Sequence, residues 1–304
     1  MIRSLRLADV PALLLFLGKS PVNEARARGR LNDGGRELVT LFPIIKGCLV
    51  SQDTEHSYIC VRRAAILGLA CLQSCRGRSA WELGRLYLAP GHQECSLDLL
   101  ERLGATGDEL GAGRIFLRLR ADSALVDTAR QAGFNQYLTE ILYRLGDERR
   151  AELPSHSLAV RPKSIEDDYQ VFRLYSSVVP LQVRTVEGMT FEEWSQSRDR
   201  GEIKELVMVD KGEVKAWLRI RHDGSAGQFD ILTDLDSGDI GSLVDYSIAA
   251  LRGRSPLYCL VSEFQQHYRH VLEERGFRQE AEFSCLSKQL VVRVREPQLV
   301  PLSA

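Results

Sequence analysis

The sequence has no excess of either charge: Lys and Arg number 40 against 41 Asp and Glu, for a net charge of -1 over 304 residues. Nucleic-acid binders carry a basic surplus, so that partner class is set aside. The local cluster Arg26, Arg28, Arg30 reads as a solvated loop. No run reaches the roughly 20 apolar residues that a membrane-spanning helix needs. The first apolar run, Val10–Leu17, follows Arg3 and Arg6 as in a secretion signal. Asp9 interrupts that pattern, and no small-x-small cleavage site follows Leu17. The run reads instead as an amphipathic first helix, and a cytoplasmic protein without a membrane partner is expected. The seven cysteines are odd in number, and Cys48, Cys60, Cys71 and Cys259 lie in apolar runs. Reduced, buried thiols account for them. Cys71 and Cys75 have no matching second pair, and His267 and His270 have no third ligand nearby, so no metal is expected. Gly111-Ala112-Gly113 precedes a strand rather than following one, so it is not a dinucleotide fingerprint. A phosphate-binding Gly-x-x-x-x-Gly-Lys run and a nucleophile elbow are both missing.

What is present is ordinary globular chain, 44% hydrophobic and 27% charged, long enough for two domains. Ile2–Leu7 alternates as a half-buried strand, and Asp9 and Pro11 suit the start of the helix after it. Pro21 to Arg36 reads as a helix plus loop. Tyr58–Val61, Ala65–Gln73 and Ala80–Leu88 read as strands. They are followed by a helix over Leu97–Leu110 that Gly104 and Gly107 weaken. Ile115–Leu119 is a buried strand, Ser123–Ala132 a helix stopped by Gly133, and Tyr137–Leu145 a closing strand. The charged stretch Gly146–Arg150 and then Pro154 mark a linker. Domains are therefore placed at 1–149 and 155–296.

The second half repeats this order. Leu158–Arg161 is a strand, and Ser164–Ser177 and Phe191–Gln196 are helices. Glu205–Asp210, Val214–Arg221 and Gln228–Thr233 form a meander with turns at Lys211-Gly212 and Asp223-Gly224. A helix over Asp239–Leu251, a strand over Leu257–Val261, a helix over Phe264–Glu274 and a closing strand within Ala281–Val294 complete it. Ala129–Phe134 in the first half corresponds to Leu272–Phe277 in the second, each ending in Gly-Phe before a closing strand that holds Glu140 or Glu282. Ser4–Leu7 and Ser157–Val160 open the halves alike. A repeated element order weighs more than any single motif.

This α/β order, with a mixed sheet and a helix ending in Gly-Phe, resembles the GNAT superfamily of N-acetyltransferases, here as two tandem copies. The resemblance implies that the fourth strand of each copy splays from the fifth and that acetyl-CoA lies in the gap. Its pantetheine arm would pair with the fourth strand's backbone at Leu86, Tyr87 and Leu88. Its pyrophosphate would sit at the next helix N-terminus, at Gln93, Cys95 and Ser96 in the first copy. Gly238, Gly241 and Ser242 are the counterparts in the second. Both loops depart from the family pattern: the first lacks the glycines, and Glu94, Asp98, Asp236 and Asp239 place carboxylates where a phosphate would sit. Ser237 equally suits a plain N-cap. The family's general-acid Tyr is replaced by Ala129 and Leu272, with Tyr268 one turn back. A base on the fourth strand would be Glu82 in the first copy or Asp230 in the second, and either is also explained as a solvent-facing strand residue. Leu17–Val50 and Val178–Gly201 would border the acceptor, a small-molecule or peptide amine. Two readings stay open: an acyl-CoA-dependent N-acyltransferase with one working copy, by preference the first, and a non-catalytic ligand-binding or regulatory protein on the same fold.

Overall fold

Near-continuous apolar strands demand cover on both faces, and the chain supplies it with helices on each side of one sheet. The structure, a computed structural model, describes residues 1–19, 21–27, 54–75, 77, 79–146, 160–198, 203–223, 225–234 and 240–290. The first half runs β1 (Ile2–Ser4), α1 (Val10–Leu17), β2 (Glu55–Arg62), β3 (Ala65–Ser74), β4 (Ala80–Leu88), α2 (Cys95–Glu109), β5 (Arg114–Arg120), α3 (Leu125–Gln131), β6 (Asn135–Leu145). The second runs β7 (Val160–Pro162), α4 (Asp168–Val178), α5 (Leu181–Glu187), α6 (Phe191–Ser197), β8 (Lys204–Asp210), β9 (Glu213–Asp223), β10 (Ala226–Thr233), α7 (Ile240–Ala250), β11 (Leu257–Ser262), α8 (His267–Glu274), β12 (Arg278–Gln289).

The mixed α/β class and the repeated order are as expected. The helix α5 is not expected from the sequence. It is one short stretch, introduced by Pro180 and ended by Gly188 at φ 149°, where a Cβ would meet the Trp194 backbone. The strand expected over Ile2–Leu7 stops at Ser4, and Leu7–Asp9 forms a 3-10 turn before α1. Residues 21–27, the start of the segment expected as a helix plus loop, form no helix and make isolated bridges at Asn23 and Ala25. The rest of that segment, the linker at 147–150, Leu158 and Ala159, and the closing residues 291–294 lie outside the described residues, as does Cys48.

All twelve strands form one sheet in the order β1-β2-β3-β4-β5-β12-β6-β11-β10-β9-β8-β7. The halves exchange their closing strands. β12 lies antiparallel on β5 from Phe283↔Arg120 to Gln289↔Arg114, and β6 lies antiparallel on β11 from Leu257↔Leu145 to Ser262↔Glu140. The two closing strands then pair with each other, Arg278↔Arg144 to Ser287↔Asn135. Gly104 and Gly107 explain how α2 receives the foreign strand. A Cβ at Gly104 would stand 2.7 Å from Lys288 Nζ, and one at Gly107 would stand 2.5 Å from a Leu290 methyl. Lys288 uses that room to donate to the C-terminal carbonyl of Ala132 at 2.8 Å. What local propensity reads as a weak helix is a packing seam.

The Gly-Phe pairs have the same physical cause in both halves. Gly133 and Gly276 adopt φ of 88° and 86°, and the Phe134 and Phe277 amides donate to Ala129 and Leu272 carbonyls at 3.0 Å. This closes each helix with a left-handed glycine and buries the phenyl ring. A second repeat joins the starts of the halves. Arg3 clamps Asp9 at 2.6 and 2.5 Å, and Arg161 clamps Asp167 at 2.6 and 2.8 Å. Each of these carboxylates also accepts an amide proton that opens the turn, from Arg6 and from Ser164.

Candidate active site

In the first half β4 and β5 pair in parallel from Ala80↔Arg114 to Leu83↔Leu117 and then part. A parted pair leaves inward backbone groups that need partners. Residues 23–26 of the same chain supply them. The Glu24 amide donates to Leu86 O at 2.8 Å, and Leu86 N donates to Asn23 Oδ1 at 2.8 Å. On the far side the Arg26 amide donates to Arg118 O at 2.9 Å. Ala25 between them is wholly buried. The expected pairing of Leu86 with a cofactor arm therefore meets an occupied edge, and Tyr87 and Leu88 are buried beside it. Residues 21–27 could not be read as a strand because their few contacts are isolated bridges, Asn23↔Tyr87 and Ala25↔Leu119.

The helix start beyond this slot is also self-contained. Gln93 is exposed, and its carbonyl accepts from the Ser96 hydroxyl at 2.5 Å and the Ser96 amide at 3.0 Å. Cys95 is buried with its Sγ 2.8 Å from Cys60 Sγ, and burial together with that thiol pushes it up to about 12. Glu94 is exposed and lies 3.1 Å from His92 Nδ1, which holds its carboxyl below the ordinary value.

The second half differs. Its β10 and β11 pair in parallel only from Gly227↔Leu257 to Phe229↔Cys259. Past that point Ile231 O is met by a side chain, Gln265 Nε2, at 2.9 Å. Gly241 and Ser242 stand in the first turn of α7, while Asp236, Ser237, Gly238 and Asp239 lie outside the described residues. Leu272 is core. Tyr268 is buried, and its hydroxyl lies beside the Thr233 backbone and Gln265 without reaching hydrogen-bond geometry with either. Burial, and then the nearby Cys259, push that phenol well above its ordinary range, so it stays protonated.

The strand exchange brings β4 and β10 around one central cavity of about 120 Å³, room for several waters or a small organic group. Glu82 and Asp230, which the sequence assigns to two separate sites, both line it. Glu140 from β6 stands at its floor, 1% exposed, bonded by Arg118 Nε at 2.8 Å and approached by Cys285 Sγ at 3.1 Å. Glu282, its partner in the repeat, is exposed instead, so the two residues are not structural equivalents. Asp230 is tied to Arg219 and Arg221, each at 3.2 Å. Arg198 and Arg219 each lie 4.9 Å from the Trp217 ring, which orients both guanidiniums along the wall. Arg198 is also paired with Glu205. Val179, Val183 and Trp194 place part of the expected acceptor-side segment 178–201 on this cavity. Of the other such segment, only residues 17–19 and 21–27 are described.

With this geometry in view, two solved structures similar to the chain become informative. A GCN5-related N-acetyltransferase from Sphaerobacter thermophilus superposes with a TM-score of 0.58 at 13% identity, covering 95% of each chain. A tandem GNAT protein from the clavulanic acid biosynthesis pathway superposes at 0.57 and 11% identity, over 95% of this chain and 98% of that one. The chain has the tandem GNAT fold. No family sequence model and no curated protein sequence matches it. At these identities the likeness concerns the GNAT fold alone, and any chemistry has to be argued from the site.

Proposed function

We propose that the chain is an acyl-CoA-dependent N-acyltransferase, transferring an acetyl group to an amine, whose thioester slot belongs to the second of two GNAT units drawn at 1–149 and 155–296. The observation that carries this reading is the early parting of β10 from β11 beside the central cavity. When bound there, acetyl-CoA would supply the activated carbonyl. The β10 backbone from Ile231 to Thr233 would hold its arm, and Gly241 and Ser242 would sit under its phosphates. Gln265 bonds the Ile231 carbonyl through one flexible side chain, which a ligand amide can replace. In the first half, Leu86, Tyr87, Leu88, Gln93, Cys95 and Ser96 keep a structural role. This reading prefers the second copy as the working one, where the sequence alone favours the first.

Two observations favour the second reading, a GNAT-fold binding protein without chemistry: Leu272 stands where the family's acid would be, and Gln265 closes the slot edge. Direct transfer to an amine depends chiefly on positioning, so neither removes the reaction. Thermal unfolding with acetyl-CoA separates the readings. At about 100-fold above its dissociation constant a single ligand should add about 2.7 kcal/mol, with one equivalent bound per chain. An unchanged melting temperature at millimolar acetyl-CoA would leave the binding-protein reading in place.

A further inference from the structure

Cys60 of β2 and Cys95, the first residue of α2, place their sulfurs 2.8 Å apart in the core of the first half. Both are buried and both are free thiols. Gly68 stands opposite Cys60 on β3, and a Cβ there would come within 3.0 Å of a Leu99 methyl. The missing side chain lets α2 lie close on the sheet, which brings the two thiols together. The turn that leads into Cys95 is open, with Gly91, Gln93 and Glu94 exposed. The second half shows what packing alone requires at the same two places. Ile2 pairs with Cys60 as Val160 pairs with Met208, and the next residues, Arg3 and Arg161, form the matching clamps. Ile240 starts α7 as far beyond Thr233 of β10 as Cys95 starts α2 beyond Leu88 of β4. Met208 and Ile240 pack against the second half's core. Plain apolar bulk therefore serves the fold at both positions, and two thiols add a chemistry that packing does not ask for.

We infer that Cys60 and Cys95 form a dithiol site that low-molecular-weight disulfides oxidise, closing a protein disulfide that fastens the start of α2 to β2. A disulfide bond is about 2 Å long, so less than about 1 Å of sulfur movement closes it. One cysteine gives up its proton, and its thiolate attacks a sulfur of the reagent as the reagent's own S–S bond breaks. The departing thiolate takes that proton, and a mixed disulfide remains on the protein. The second cysteine's thiolate then attacks the protein sulfur of that mixed disulfide. The second reagent thiol leaves with the second proton. Two protein thiols are oxidised, and one reagent disulfide is reduced to two thiols. Burial, and then the Cys60 thiol, hold Cys95 protonated, so the exchange is slow and waits on opening of the exposed turn. Once closed, the bond joins two elements distant in sequence and restricts the unfolded chain. The site is independent of the thioester reading and asks nothing of acetyl-CoA.

Incubation of the full chain with excess oxidised glutathione, then alkylation under denaturing conditions and peptide mass spectrometry, tests this. Cys60 and Cys95 should escape alkylation, and non-reducing maps should join the peptides that hold them. Dithiothreitol should reverse both results. The urea midpoint of the oxidised chain should rise by about 1 M. Cys60→Met with Cys95→Ile, the pair that the second half itself uses, should show neither the bond nor the rise. The wild-type map decides the question even if that double variant does not fold. Wild type in which Cys60 and Cys95 both still alkylate after the incubation overturns the inference. So does glutathione left on either cysteine without closure, a closed chain no more resistant to urea, or a double variant that gains the same resistance.

Discussion

The two parted strand pairs meet one physical demand in different ways. Both open a sheet in its middle and leave backbone groups that cannot stay unpaired. In the first half a stretch of peptide fills the gap, bonding both strands and burying Ala25. Among the described residues of the second half, the Gln265 amide side chain bonds the Ile231 carbonyl. A peptide plug is held by several bonds and a packed methyl, so displacing it costs all of them together. A side-chain bond breaks singly. On the proposed function the same fold carries a closed copy and an openable one, with structure assigned to one and ligand to the other.

The largest expected effect lies at the seam between the copies. Glu140 from the first half's closing strand binds Arg118 across the inserted β12. Glu140→Ala removes the nearest counter-charge of the buried Arg118 guanidinium, leaving Glu82 at 3.7 Å, and should lower stability by about 3 kcal/mol. Urea unfolding measures it. Replacing both residues together, Arg118→Leu with Glu140→Leu, should recover a large part. A loss below 1 kcal/mol in the single variant would show that the exchanged strands are not joined by this pair.

A middle-sized pair of effects contrasts the slots directly. Asn23→Ala removes the acceptor of Leu86 N and should cost about 1–3 kcal/mol, because a buried amide loses its partner. Gln265→Ala removes one donor from a carbonyl beside a cavity and should cost about 1 kcal/mol or less. Acetyl-CoA should still bind Gln265→Ala, and Asn23→Ala should still take up only one equivalent. A second equivalent in Asn23→Ala would mean that the plug, rather than the fold around it, is all that closes the first half.

Much of this organisation can be read in the sequence, for reasons that particular residues make clear. Gly133-Phe134 and Gly276-Phe277 mark helix ends because a left-handed cap needs glycine locally, and local needs are what a sequence displays. Glu82 and Asp230 were identifiable as carboxylates on corresponding strands. Their convergence on one cavity was not, because it follows from the exchange of β6 and β12. Both closing strands read the same wherever they pair, since alternation states which face is buried and not which neighbour is chosen. The plug at 23–26 escapes for a related reason. Its regularity is borrowed from β4 and β5, and its own residues carry no period. The Arg3–Asp9 and Arg161–Asp167 clamps, with the same six-residue spacing, are a second repeat signal that the sequence carries beside Gly-Phe.

Those clamps give the smallest and most even comparison. Hydrogen bonds from Arg3 and Arg161 are the main cause that holds the carboxyls of Asp9 and Asp167 below the ordinary aspartate range, the latter further. A carboxyl whose folded value is depressed binds its proton more readily in the unfolded chain. Its contribution to stability is therefore complete above the unfolded value, near pH 3.9, and is lost as pH falls toward the folded value. Chemical denaturation followed from pH 5 downward should show stability declining, and Asp167→Asn should flatten that decline more than Asp9→Asn does. Identical slopes in wild type and both variants would show that the two clamps position their helices without linking folding to protons, and that the halves differ in their slots but not in their entrances.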